Sequence, residues 1–249
     1  MRDSELALLC DRRAGIGGDG VMRVVRCEES DDPAAVAARG QAEWFMDYRN
    51  SDGSVSEMCG NGIRVFARYL LDHEGADAPM AIATRAGVKT LSLEVDGRLT
   101  ADMGAPRLLG DTKVGVGERQ WVATHVSMGN PHAVAFVDDL ADAGPLLSEP
   151  TYSTADYPHG VNVEFVVRRG DRHVAMRVHE RGSGETRSCG TGACAVMVAS
   201  ALADGAGRGT AYRVDVPGGR LDVTWTTDDR VLLTGPAVLV AEGNWVAGR

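Results

Sequence analysis

The stretch Glu180-Arg-Gly-Ser-Gly-Glu-Thr-Arg-Ser-Cys189-Gly-Thr-Gly-Ala-Cys194 organises this sequence, because it places Cys189 directly before a long apolar run. That run, Ala193 to Leu202, predicts a helix that is enclosed on most sides. A second copy of the pattern lies upstream, where Asn50 precedes Cys59 by nine residues, as Glu180 precedes Cys189. The shared spacing predicts an internal duplication, with one cysteine at the start of a buried helix in each copy.

Each copy contains a Cys-Gly-x-Gly step, and this step has a chemical consequence. Unpaired N–H groups and the helix dipole favour negative charge at a helix start, so the pattern predicts a lowered thiol pKa. The glycines let an anionic ligand approach the backbone. Two such thiols on opposite sides of one pocket would remove a proton from one face of a carbon and return a proton to the other, which inverts a stereocentre. A lone cysteine before a helix is more often a core residue, but two matched copies favour the catalytic interpretation.

Composition places the chain among globular proteins with an acidic surface. It has 249 residues, of which 44% are hydrophobic and 24% charged, and its formal net charge is −9. This charge argues against nucleic acid or an anionic membrane as a partner, and no apolar run is long enough to cross a bilayer. The five cysteines are scattered and odd in number, so we expect no disulfide framework and a cytoplasmic location.

The rest of the pattern is rich in short strands and poor in long helices, as in the segment from Val88 to Val95. We therefore expect an α+β fold, in which mixed or antiparallel sheet wraps about one main helix in each half. Gly110, Gly115 and Gly117 interrupt any regular pattern, which predicts that the link between the halves falls near them. The predicted lobes are residues 1–115 and residues 116–235.

Two sequence patterns that could indicate a cofactor or a metal lack the neighbouring residues or elements that such a site requires. Gly15 to Gly20 matches the letters of the dinucleotide fingerprint, but a predicted helix precedes it and a predicted strand follows, which reverses the order that binds pyrophosphate. No second Cys or His pair accompanies Cys189 and Cys194, so a zinc site is not expected. The sequence thus predicts neither a cofactor nor a metal.

A set of polar residues suggests recognition of an amino acid. Asn50, Asn130 and Asn162 could each donate to a carboxylate and accept from an ammonium group, as a zwitterion requires. Glu180 and Arg181 add one charge of each sign. Taken singly, each asparagine is more often a turn residue, and the charged pair fits a solvated surface equally well.

Three motifs together give the chain a family resemblance. At Cys59-Gly-Asn-Gly, Gly129-Asn-Pro-His132 and Glu180 to Cys194, it closely resembles the diaminopimelate epimerases, which are pyridoxal-phosphate-independent amino-acid epimerases. The similarity extends from about Cys10 to the C-terminus. It implies cofactor-free interconversion of LL- and meso-diaminopimelate, on the route to lysine and peptidoglycan. It also implies two pseudo-symmetric lobes, each a sheet rolled around a central helix, with residues 236–249 returning to the first lobe.

The resemblance implies a role for each polar position. Cys59 and Cys189 would be the acid/base thiols, with His132 supporting them, and Glu180 would hold the reacting ammonium. Helix-start amides would hold the reacting carboxylate, and other polar side chains would recognise the distal end of the substrate. The carboxylate positions are Gly60, Asn61, Gly190 and Thr191, and the distal positions are Asn50, Asn130, Asn162 and Arg181.

The chain departs from the family at its start. Family members normally begin with about thirty more residues, including a His-Gly-x-x-Asn-Asp-Phe-like segment, which this sequence lacks. Either the start codon is assigned too late, or the first lobe lacks one edge. Two alternatives stay open. One is a related racemase of the proline or hydroxyproline type, and the other, which the missing segment motivates, is a truncated, inactive relative that binds an amino acid or a protein partner. The oligomeric state is also open, and a homodimer is allowed.

Overall fold

The computed structural model describes residues 3–246 and divides the chain into two compact units. Unit 1 comprises Met1–Ala101 and Pro236–Arg249, and unit 2 comprises Asp102–Gly235. Residues 1–2 and 247–249, which belong to the predicted first lobe and its returning segment, lie outside the described residues. Within residues 3–246, the five cysteines form no disulfide, and no helix has the length and apolar content needed to span a membrane.

Unit 1 contains a mixed sheet and one long helix. The strands follow the order β1-β2-β3-β4-β5, with β2 and β3 parallel and the other neighbours antiparallel. The helix α3 buries Ile63, Phe66 and Leu70, as its apolar spacing predicts. The elements are α1 (Asp3–Cys10), β1 (Gly20–Arg26), α2 (Pro33–Ala37), β2 (Trp44–Asn50), α3 (Gly60–His73), β3 (Met80–Thr84), β4 (Gly87–Leu93) and β5 (Leu99–Asp102).

Unit 2 has the larger sheet. Its strands follow the order β15-β14-β13-β11-β10-β8-β7-β6-β9, and β12 pairs with β11. Two neighbour pairs, β8 with β10 and β11 with β13, are parallel. The elements are β6 (Arg107–Val116), β7 (Arg119–Ser127), β8 (Pro131–Phe136), β9 (Thr151–Tyr152), β10 (Asn162–Gly170), β11 (His173–Glu180), β12 (Gly184–Thr186), α4 (Gly190–Ala203), β13 (Thr210–Val216), β14 (Gly219–Trp225) and β15 (Val231–Gly235).

The helix α4 is the centre of unit 2. It contacts seven strands, namely β7, β8, β10, β11, β13, β14 and β15. Every residue of α4 from Gly190 to Ala201 is buried, because the helix is apolar on all sides. The mixed sheets and the few helices confirm the α+β class, and the enclosure of α4 matches the expectation for the second copy of the motif.

The link between the two units does not lie at Gly110, Gly115 and Gly117, where the sequence predicted it. The predicted link, near Gly110 to Gln120, is in fact the β6–β7 hairpin, and the two units divide between Ala101 and Asp102. Gly110 has a φ of +93° at a register shift, and Gly117 has a φ of +61° in the turn. A Cβ added at Gly115 would lie 2.7 Å from the Thr151 hydroxyl, so this glycine permits close packing of β9. The glycines shape the hairpin and do not mark a linker.

Candidate active site

In unit 1, Cys59 is the N-cap residue of α3. Its backbone is extended, with φ −133° and ψ 120°, and its Sγ accepts a hydrogen bond from the Gly62 N–H at 3.3 Å. A sulfur atom therefore takes the capping place that an oxygen usually fills. The Cys59 side chain is half-buried, which leaves the thiol partly accessible.

In unit 2, Cys189 occupies the same place on α4. Its φ is −111° and its ψ is 114°, and its Sγ accepts from the Gly192 N–H at 3.4 Å. Its side chain is 5% exposed, so this thiol is buried. The structure therefore places both predicted cysteines at helix starts with nearly equal backbone geometry.

The second glycine of each Cys-Gly-x-Gly step packs closely beside the sulfur. A Cβ at Gly62 would lie 3.4 Å from the Cys59 Sγ and 2.9 Å from the Met22 Sδ. A Cβ at Gly192 would lie 3.3 Å from the Cys189 Sγ and 2.7 Å from the Glu164 Oε1. At both positions an added Cβ would meet a neighbouring side chain at less than 3 Å.

The surroundings of Cys189 change the pKa of its thiol in the direction opposite to that expected at a helix start. Burial raises the pKa of the Cys189 thiol well above its usual range, and the carboxyl groups of Glu180 and Glu164 raise it further. Hydrogen bonds from Thr191 and from the Gly192 amide lower the pKa, but they are the smaller causes. The prediction that a helix start lowers the thiol pKa is therefore wrong for Cys189, because desolvation outweighs the helix amides. These surroundings favour the protonated thiol of Cys189.

A chain of hydrogen bonds connects Cys189 to the interior of unit 2. The Thr191 Oγ1 lies 3.5 Å from the Cys189 Sγ, and the Asn130 Nδ2 donates to the Thr191 Oγ1 at 3.3 Å. The Asn130 Oδ1 lies 3.1 Å from the His132 Nε2, and the His132 Nδ1 lies 2.6 Å from the Glu164 Oε1. His132 is fully buried, and these hydrogen bonds connect it to the thiol through Asn130 and Thr191.

Three more predicted residues of unit 2 lie close together, where β10 begins at Asn162 and β11 ends at Glu180. The Asn162 Oδ1 accepts from the Arg181 backbone N–H at 2.9 Å, and the Asn162 Nδ2 donates to the Pro131 carbonyl at 3.3 Å. The Arg181 guanidinium donates to the His159 carbonyl at 3.1 Å. Glu180 accepts a short hydrogen bond from the Thr186 hydroxyl. Asn162 thus fixes the backbone that carries Glu180 and Arg181.

The predicted residues of unit 1 lie at two places. Gly60 and Asn61 form the first turn of α3, where Arg64 donates to the Gly60 carbonyl at 2.9 Å and to the Asn61 Oδ1 at 3.0 Å. Arg64 itself is 4% exposed. Asn50 ends β2 and donates to the Ser54 hydroxyl at 3.0 Å.

Sequence reasoning missed Glu164. It lies in the segment Asn162-Val-Glu-Phe-Val-Val167, in which every residue is buried. Alternation along β10 sends Val163 and Phe165 into an apolar cluster on one face and Glu164 to the other, toward α4. The signal was an acidic residue inside the apolar run from Val163 to Val167, because a buried acid needs a specific partner.

Comparisons with known proteins agree on the family. The sequence model of the family "Diaminopimelate epimerase" matches residues 3–109 and 124–240. A diaminopimelate epimerase from Streptomyces coelicolor is 59% identical, and the alignment covers 98% of this chain and 88% of that protein. One from Thermobifida fusca is 46% identical, with 96% of this chain and 87% of that protein covered.

A comparison of structures supports the fold. The crystal structure of the phenazine biosynthesis protein of the PhzF family from Bacillus anthracis matches with a TM-score of 0.66 at 15% sequence identity. The match covers 94% of this chain and 86% of that chain. At this identity the likeness concerns the fold alone.

Proposed function

This chain belongs to the diaminopimelate epimerase family and is an isomerase, and on that premise we propose that it interconverts LL- and meso-diaminopimelate with Cys59 and Cys189 as acid and base. The reaction would stand on the route to lysine and peptidoglycan precursors. The observation that carries the proposal is the matched pair of N-capping thiols, each of which accepts a hydrogen bond from the amide three residues on.

In the proposed reaction, one thiolate takes the α-proton from one face of the substrate carbon and the other thiol donates a proton to the opposite face. General acid/base action of this kind contributes about 10² to 10⁴-fold in rate. Burial and the carboxyl groups of Glu180 and Glu164 raise the pKa of the Cys189 thiol, which favours Cys189 as the proton donor in the free protein. The scheme requires both thiols to reach one substrate carbon.

The other predicted residues would bind the substrate. Amides at the starts of α3 and α4 carry partial positive charge, which suits the carboxylate on which charge accumulates when the α-proton leaves. Glu180 would supply a carboxylate for the reacting ammonium, and after burial this carboxylate is the next cause of the raised pKa of Cys189. Asn50, Asn130, Asn162 and Arg181 would recognise the second amino-acid end.

The experiment is a direct assay of stereochemistry. The purified chain is incubated with LL-diaminopimelate and, in parallel, with L-proline, and the isomers are separated on a chiral column. We expect meso-diaminopimelate to form and L-proline to stay unchanged. Inversion of proline without inversion of diaminopimelate would overturn the assigned substrate. Inversion of neither, with retained binding of diaminopimelate by calorimetry, would instead indicate an inactive amino-acid-binding protein.

A further inference from the structure

Glu164 is a buried acidic residue that has no role in the proposed reaction. Its side chain is fully buried, and only one of its oxygens has a hydrogen-bonding partner among residues 3–246. That oxygen, Oε1, lies 2.6 Å from the His132 Nδ1 and packs against Gly192. The other oxygen, Oε2, is buried with no partner in the described part of the chain.

The unpartnered oxygen bears on the protonation state of Glu164. An ionised carboxylate in the interior requires hydrogen bonds to both oxygens to offset the loss of water. A neutral carboxylic acid needs less, since it donates its single O–H and leaves a carbonyl oxygen whose burial costs far less. Burial raises the pKa of Glu164, while the neighbouring His132 acts in the opposite direction. The titratable groups that face Glu164 from neighbouring elements are His132, Glu180, Cys189 and Tyr157.

Which group donates at each step of the hydrogen-bond chain depends on which nitrogen of the His132 ring carries the hydrogen. If the His132 Nδ1 accepts a hydrogen bond from the O–H of Glu164, then Nε2 carries the single ring hydrogen and donates to the Asn130 Oδ1. The Asn130 amide is thereby oriented so that its NH₂ group donates to the Thr191 oxygen. Because that oxygen now accepts, the single Thr191 hydrogen points to the Cys189 Sγ.

We propose that Glu164 is a positioning residue, which as a neutral acid donates to the His132 Nδ1 and so directs the Thr191 hydroxyl hydrogen at the Cys189 sulfur. This inference rests on the proposed function only in treating Cys189 as a reacting thiol. A hydroxyl donor stabilises a thiolate, and Cys189 must become a thiolate each time it gives its proton to the substrate.

Two substitutions separate hydrogen-bond donation from charge and from packing. Glu164→Gln keeps a donor of the same shape without the ability to ionise, whereas Glu164→Leu keeps apolar bulk without a donor. We expect Glu164→Gln to retain kcat within about twofold of the native chain and Glu164→Leu to lose about tenfold, the effect of one hydrogen bond to a reacting group. A packing role would be filled by leucine at least as well as by glutamine, and thermal unfolding reports whether each variant folds.

Nitrogen-15 NMR of the His132 ring tests the proposal without reference to activity. In the native chain at pH 7 we expect a neutral ring with hydrogen on Nε2 and a bare, hydrogen-bonded Nδ1, and the same pattern in Glu164→Gln. A ring protonated on both nitrogens, or on Nδ1 alone, would overturn the inference, as would equal activity losses in the two variants. Failure of the native chain to epimerise diaminopimelate would overturn the proposed function, and the ring spectrum would still decide the role of Glu164.

Discussion

The start of α3 and the start of α4 have nearly the same backbone and very different surroundings. In each, a cysteine caps the helix and accepts from an amide three residues on. Cys59 is half-buried, and the first turn that follows it carries the Arg64 guanidinium. Cys189 is buried, and Glu180 and Glu164 raise the pKa of its thiol. The duplicated motif therefore fixes the position of each sulfur, whereas burial and the surrounding residues set the pKa of the Cys189 thiol.

The largest expected effect comes from removing either thiol. Cys59→Ala and Cys189→Ala should each lower kcat at least about 100-fold, because each removes one partner of the proton transfer. Cys194→Ala, five residues further along α4, is the matched control and should retain activity. Chiral separation of the diaminopimelate isomers measures the rates. A Cys59→Ala variant with native turnover would contradict the role of unit 1 in the chemistry.

The second comparison concerns the glycines beside the two sulfurs. In Gly192→Ala the added Cβ meets a buried carboxylate oxygen at 2.7 Å, while in Gly62→Ala it meets the flexible end of Met22 at 2.9 Å. We expect Gly192→Ala to lower the free energy of unfolding by about 1–3 kcal/mol, as overpacking does, and Gly62→Ala to lower it less. Urea denaturation measures both values. Equal losses would show that Glu164 moves as readily as Met22.

The third prediction uses the protonation of Cys189. Because folding raises the pKa of this thiol, the protonated form stabilises the fold below the unfolded-state pKa, and that contribution is lost as pH rises through the folded-state pKa. Above about pH 8.5 the native chain should lose up to about 1.4 kcal/mol per pH unit from this group. Cys189→Ala should lose correspondingly less, while Cys59→Ala retains the native slope from Cys189. Thermal unfolding between pH 7 and pH 10 gives the slopes, and identical slopes for the native chain and Cys189→Ala would contradict the account.

The smallest effect is expected at the second residue of each helix. The Thr191 hydroxyl lies 3.5 Å from the Cys189 sulfur, whereas Asn61, at the matching position of α3, accepts from Arg64. Thr191→Val keeps the shape and the backbone amide but removes the hydroxyl, so kcat should fall about 10-fold, as in Glu164→Leu, because both changes remove the hydrogen bond from this hydroxyl to the sulfur. Steady-state kinetics measure this change. A larger fall in substrate affinity than in kcat would show that Thr191 binds the substrate and does not act on the thiol.

Much of the fold could be predicted from local pattern. The apolar runs after Cys59 and Cys189 became α3 and α4, and the strand-rich remainder became mixed sheet. Local pattern failed at Gly110, Gly115 and Gly117, because a glycine that ends a regular element and a glycine that permits a bulge or a close contact look alike in sequence. Only the pairing of β6 with β7 and β9 in the structure shows that these glycines permit a bulge, a turn and a close contact and do not end a regular element.

The candidate site, like the fold, could be predicted from the sequence only in part. Spacing alone predicted that both cysteines lie at helix starts, because the capping geometry is a property of a few consecutive residues. The pKa of Cys189 depends on Glu164, which is 25 residues away in sequence and reaches the thiol's surroundings across β10 and α4. Desolvation is a property of the whole packed unit, so a helix-start rule applied to the sequence gave the opposite direction.

The most direct test of the two-thiol reaction is the fate of the α-hydrogen in D₂O. LL-diaminopimelate is incubated with the native chain, the reaction is stopped at low conversion, and the deuterium in each isomer is measured by mass spectrometry. If one thiol removes the hydrogen and the other supplies a solvent-derived one, the meso product carries deuterium and the recovered LL substrate carries almost none. Deuterium entering the LL substrate as fast as it enters the meso product would show that a single base serves both faces, and this would contradict the account.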